Sequence, residues 1–230
     1  MAKMRALKKE LALRLVADDW QDVLPELTAM NGQEAVGPLF ALLPRGGELT
    51  HRAAVAIGAV VTSLAAENMG AGREVMRRLM WHMNEESGNF GWGIPETFAE
   101  ILAACPALCK EFAGVLISYI MDTGREDNFC DNAVLRRSCF WGVGRLSQVH
   151  PETEARSRAW LLRGLFDEDT VCRGMAAWAL SFLPPSIEDA PALRNLAEAG
   201  HTETCTVYEN GCLNYYTVTQ LAQRALGRKL

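Results

Sequence analysis

The chain has 230 residues, 49% of them hydrophobic and 22% charged, with a formal net charge of -5, which excludes intrinsic disorder and supplies side chains for one or two cores. The acidity argues against indiscriminate binding to nucleic acid or anionic lipid. No uninterrupted apolar run approaches the roughly 18 residues of a membrane span, and Arg14 breaks the run Leu11, Ala12, Leu13 behind the basic start, so neither a span nor a signal-peptide core is expected and a cytoplasmic protein is.

Residues 3 to 17 set Leu7, Leu11 and Leu15 on one helical face, and Asp18 or Asp19 can cap a second helix running to about Met30. Residues 1–31 therefore read as an N-terminal capping pair. Helix pairs follow at about 33 to 43 with 49 to 66, 71 to 83 with 94 to 104, 107 to 122 with 131 to 148, 152 to 166 with 169 to 183, and 189 to 199 with 217 to 227. Prolines and glycines at 44–47, 151 and 184–185 punctuate them.

Between the second pair of helices lies a longer connection. It carries Asn84, Glu85, Glu86, Ser87, Asn89 and Trp92, with glycines at 88, 91 and 93, and Pro95 suits the first turn of the helix that follows. A Trp between glycines needs something to pack on, so Trp92 is the anchor of this loop and a hot-spot candidate if a partner covers it. Glu85 and Glu86 offer a cation site or an acid and base, with His82 four residues before Glu86, although such acidic loops are more often simply solvated. Further on, Asn210-Gly211 between β-branched and aromatic residues predicts a two-residue hairpin, which pairs Glu209 with Cys212 and Tyr208 with Leu213 and leaves Cys205 and Cys212 unable to bond to each other. That ribbon either caps the end of the helical core or extends a groove wall with Tyr208 and Tyr215.

The second helices share one frame. Thr50 is followed by Ala53-Ala54 and Ala56-Ile57-Gly58; Arg136 by Cys139-Phe140 and Gly142-Val143-Gly144; Arg173 by Ala176-Ala177 and Ala179-Leu180-Ser181; Thr219 by Ala222-Gln223 and Ala225-Leu226-Gly227. A looser copy runs from Glu96 through Ala99, Leu102 and Ala103 to Ala104. The last position of the frame recurs at Gly58, Ala104, Gly144, Ser181 and Gly227, at intervals of 46, 40, 37 and 46, which suits HEAT-type repeats. The expected fold is all-α: a single domain, 1–230, forming an α-solenoid of HEAT-like helix pairs over 32–199, with a small β-hairpin before the last helix in 200–230.

Counted at 100° per residue, the small residues and the aliphatic face the partner helix, and positions 1, 5 and 9 of the frame turn away from it. In a solenoid lined by its second helices those positions project into a concave groove. Toward the C-terminal half they hold Arg137, Trp141, Arg145, Trp178, Phe182 and Arg224, a combination able to hold a flat or anionic group by stacking and charge. Three readings stay open for Trp141 and Trp178: core packing between repeats, a peptide-binding surface, or a platform for a small planar or nucleic-acid ligand.

The seven cysteines are odd in number and include no Cys-x2-Cys pair, so reduced thiols are expected, with no metal and no cofactor.

The stretch from Arg173 to Ser181, with Ala176, Ala177, Trp178, Ala179 and Leu180 inside it, resembles the inner helix of HEAT-like repeats of the phycobilisome-lyase type, and the resemblance covers residues 33 to 227. The segment from Trp81 to Glu96 resembles one in a family of small HEAT-like proteins of anaerobic bacteria to which no activity is attached. The resemblance implies a protein-binding scaffold, with bilin lyases and a class of alkylpurine DNA glycosylases as the enzyme-linked exceptions. The leading expectation is a non-enzymatic interaction protein that takes a protein or peptide in its groove. The alternative is a ligand-binding protein or a glycosylase-like enzyme using the acidic loop 84–93, and the net charge makes duplex binding the less suitable of the two.

Overall fold

The computed structural model describes residues 2–84, 91–125 and 127–227. These residues form helices joined by short connections, plus one two-stranded sheet, and they divide into two compact units, Met1–Phe112 and Ala113–Leu230.

The first unit contains α1 (Ala2–Arg14), α2 (Val23–Ala29), α3 (Gly32–Phe40), α4 (Gly47–Glu67), α5 (Met69–Met83) and α6 (Ile94–Ala104). Asparagines set two of the starts: Asn31 accepts from the Gln33 amide ahead of α3, and Asn68 accepts from the amides of Gly70 and Ala71 ahead of α5. The expected capping role of Asp19 is corrected. Its side chain makes no cap bond, and a 3-10 turn at Trp20–Asp22 precedes α2, because the chain bends there to bury Trp20 under the Arg52 guanidinium, 5.5 Å from the ring centre. α4 packs along α6, and Gly58 is what allows it: a Cβ there would lie 3.0 Å from the Glu100 carbonyl oxygen. α4 is the one described helix long and apolar enough to cross a membrane, and 56% of its most apolar window is buried inside the fold.

α7 (Pro106–Ser118) leads into the second unit, which contains α8 (Ala133–Val149), α9 (Glu154–Gly164), α10 (Thr170–Leu180), α11 (Ala190–Glu198), β1 (Thr204–Glu209), β2 (Cys212–Thr217) and α12 (Val218–Ala225). Asn132 caps α8, Asp169 caps α10, and Thr217 with Gln220 forms a capping box on α12. α8 packs on α10 and α10 on α12. The strands pair antiparallel with Glu209 opposite Cys212 and Tyr208 opposite Leu213, as the Asn-Gly turn requires; Asn210 and Gly211 both take positive φ. Cys205 lies opposite Tyr216, and all seven cysteines are free.

The polar first position of the repeated frame has a structural task. Thr50 Oγ1 donates to the Leu43 carbonyl at 2.6 Å, Arg136 to the carbonyls of Cys130 and Asp131 at 2.8 and 3.0 Å, Arg173 to that of Asp167 at 2.5 Å, and Thr219 to that of His201 at 3.0 Å. Thr50, Arg136 and Arg173 thereby tie down the segment just before their own helices, whereas Thr219 reaches back past the hairpin to the stretch that follows α11, where free carbonyls need donors.

Candidate functional site

The second unit brings four of the predicted groove residues together, Trp141, Trp178, Phe182 and Arg224, and seals both tryptophans. Trp141 is 3% exposed and Trp178 is fully buried, which corrects the expectation that both project into an open groove. The hairpin folds back over them. The Trp141 indole Nε1 donates to the Tyr208 carbonyl at 3.0 Å, and Trp178 Nε1 donates to the Glu209 carboxylate at 3.4 Å. The two indoles stack with centroids 6.2 Å apart and planes 9° from parallel, and Phe182 meets Trp178 edge-on at 4.9 Å.

Glu209 is the hub of this cluster. One of its oxygens accepts from Tyr216 Oη at 2.6 Å and from Arg224 Nη1 at 3.0 Å, and Arg224 also lies over the Phe182 ring at 5.4 Å. Burial raises the carboxyl pKa, but the donors Arg224, Tyr216 and Trp178 outweigh it and hold the group ionised, below the usual range. The remaining two arginines are engaged as well. Arg137 grips Asp169 through two bonds of 2.9 and 2.6 Å, which lowers the Asp169 pKa to about 2, and Arg145 donates to Gln148 at 3.1 Å. Sequence spacing thus identified a set of which Trp141, Trp178, Phe182 and Arg224 come together; the two indoles serve an internal surface, while the other predicted side chains stay half-buried.

In the same unit a cleft of about 410 Å³ lies beside Phe129, Arg136, Arg163, Phe166 and Asp167. Both of its arginines hold carboxylates. Arg136 is bound to Asp167 at 2.8 and 2.9 Å and lies over Phe129, and Arg163 reaches Asp122 at 3.4 Å.

The first unit holds a different kind of opening. Trp92, in the turn before α6, stands 37% exposed beside a cleft of about 230 Å³ that includes Phe40, Leu43, Arg78, His82 and Ile94. Gly93 makes this placement possible: it takes φ +77°, and a Cβ there would sit 2.8 Å from both Leu43 Cβ and Thr50 Cγ2. Phe40, Leu43 and Ile94 are buried and form an apolar floor. The Arg78 guanidinium lies 4.5 Å above the Phe40 ring. His82 approaches the same ring at 6.1 Å and meets the exposed Trp81 edge-on. Asn84, predicted with this loop, is exposed at the C-terminal end of α5, while Glu85 and Glu86 lie outside the described residues.

Sequence reasoning missed that α6 is buried on every face from Ile94 to Leu102, with Glu96 and Glu100 at 6% and 7% exposure. Carboxylates are almost never buried without partners, and the only trace in sequence is that Glu100 stands where three of the other copies have Ala54, Phe140 and Ala177. His51, in the second turn of α4, is held neutral by burial, with its pKa lowered to about 4. Among the described residues no group of three or more His, Cys, Asp or Glu side chains is arranged to hold a metal ion. No protein-family model, curated protein or solved structure matches this chain.

Proposed function

We propose that the chain is a non-enzymatic interaction protein, built from HEAT-like helix pairs, that docks a protein or peptide partner at the cleft between Phe40 and Trp92. The packing of consecutive second helices on one another, α4 on α6 and α8 on α10, supports the repeat reading. The observation that carries the docking reading is Trp92 itself, a large aromatic held in a turn by a conformationally special glycine and left 37% exposed over an apolar floor. Exposed aromatic side chains beside a preformed pocket are the usual anchors of protein interfaces. A nucleic-acid partner fits less well, because duplex binding draws on several phosphate contacts and the chain is net acidic.

The test is affinity capture from the native cell extract with the full chain, run beside Trp92→Ala and, as a surface control, Tyr215→Ala. Loss of the same captured protein from Trp92→Ala alone, at unchanged thermal stability, is the expected result. Retention of that protein by Trp92→Ala sinks the proposal.

A further inference from the structure

We infer that the Phe40–Trp92 cleft recognises a partner segment in which one bulky apolar side chain fills the cleft and an adjacent carboxylate binds Arg78. The inference rests on the interaction reading above and specifies the chemistry of the partner.

Size comes first. At about 230 Å³ the cleft is smaller than the roughly 300–1,000 Å³ of small-molecule sites and suits a single large side chain. Its floor of Leu43, Phe40 and Ile94 and its wall of Trp92 favour an apolar or aromatic group.

Charge supplies the second half. α5 carries three arginines on its exposed side: Arg73 is bound to Glu111 at 2.8 and 2.7 Å and Arg77 is paired with Glu74. Arg78 alone of the three has neither hydrogen bond nor ion pair among the described residues, and it is parked over Phe40 at the cleft. Stacking on a ring occupies the face of a guanidinium and leaves its N–H edge for a planar, bidentate acceptor, which a carboxylate is. The 410 Å³ cleft of the second unit offers no such group, since both of its arginines already hold carboxylates. A single uncommitted cation also favours a peptide over a nucleic acid.

The probes are N-acetyl-L-phenylalanine, its neutral amide, acetate and AMP, titrated into the full chain labelled with ¹⁵N at tryptophan. The Trp92 indole resonance is assigned with Trp92→Phe. N-acetyl-phenylalanine is expected to shift Trp92 in the millimolar range and to bind about threefold more tightly than the amide, the size of an exposed ion pair, with acetate alone silent. That preference should vanish in Arg78→Gln, whose folding is checked by an unmoved signal from Trp20, the buried tryptophan of the same unit. It should also shrink in the unaltered chain when salt is raised. Equal binding of acid and amide, tighter binding of AMP, or no movement of Trp92 at tens of millimolar each overturns the inference. Those outcomes leave the interaction reading to the capture experiment, where it stands or falls on Trp92→Ala.

Discussion

Substituting alanine at two glycines of the second unit should have opposite effects on stability. Gly114 lies exposed in α7, and a Cβ there meets nothing within 4 Å; Gly114→Ala should stabilise by about 0.5–1 kcal/mol through helix propensity. Gly144, inside α8, faces Trp178. The added Cβ would sit 2.4 Å from Cζ3 and 2.7 Å from Cε3 of that indole, and 3.0 Å from Ala179 Cβ. Carbon contacts are comfortable at about 3.5–4.0 Å, so the ring would have to retreat by about 1 Å. It has nowhere to go, being fully buried, stacked on Trp141, abutted by Phe182 and bonded to Glu209. Overpacking of this kind costs about 1–3 kcal/mol, which exceeds the propensity gain of about 1 kcal/mol, and Gly144→Ala should be net destabilising by about 1–2 kcal/mol. Urea unfolding followed by near-ultraviolet circular dichroism reads both variants through the tryptophans. Combining Gly144→Ala with Trp178→Leu should recover about 1 kcal/mol relative to the sum of the singles. A Gly144→Ala protein as stable as the parent would refute the contact between α8 and the Trp178 ring.

Two further outcomes follow from buried charge. Arg136 and Asp167 are each 7% exposed at the side chain, so Asp167→Asn strands a cation and should cost about 3–5 kcal/mol, whereas Lys3→Ala, which breaks the exposed pair with Glu34, should change the urea midpoint little. His51 sets a pH dependence: its folded pKa of about 4 lies below the free value of about 6.5, so between these values the unfolded chain binds more protons. Stability should therefore fall as pH drops through that window, by about 1–2 kcal/mol from pH 7 to pH 5, and His51→Leu should remove that part of the slope; an identical slope in the variant would show that His51 is not the group responsible.

Helices and the hairpin were legible in the sequence because each is a local matter. Leucines at helical spacing, Asn-Gly between β-formers and a repeated small-residue frame act over a few residues, and the structure returns the hairpin register and the predicted helices with shifted ends. The frame also identified the residues that cluster around Trp178. What spacing cannot supply is the identity of whatever lies in the direction a side chain points. Trp141 and Trp178 do turn away from their small-residue stripe, yet β1, whose Tyr208 is 67 positions along the chain from Trp141, closes over them. Glycines were the overlooked signal: Gly144 makes room for Trp178, and Gly174 would place a Cβ 2.5 Å from Cys205 Sγ, so small residues here mark close approach on more than one side of a helix. The Trp92 cleft and the all-round burial of α6 were likewise decided by tertiary structure. Periodicity fixes a side chain's angle about its own helix axis, whereas burial depends on contacts between segments far apart in the chain, and only folding brings those together.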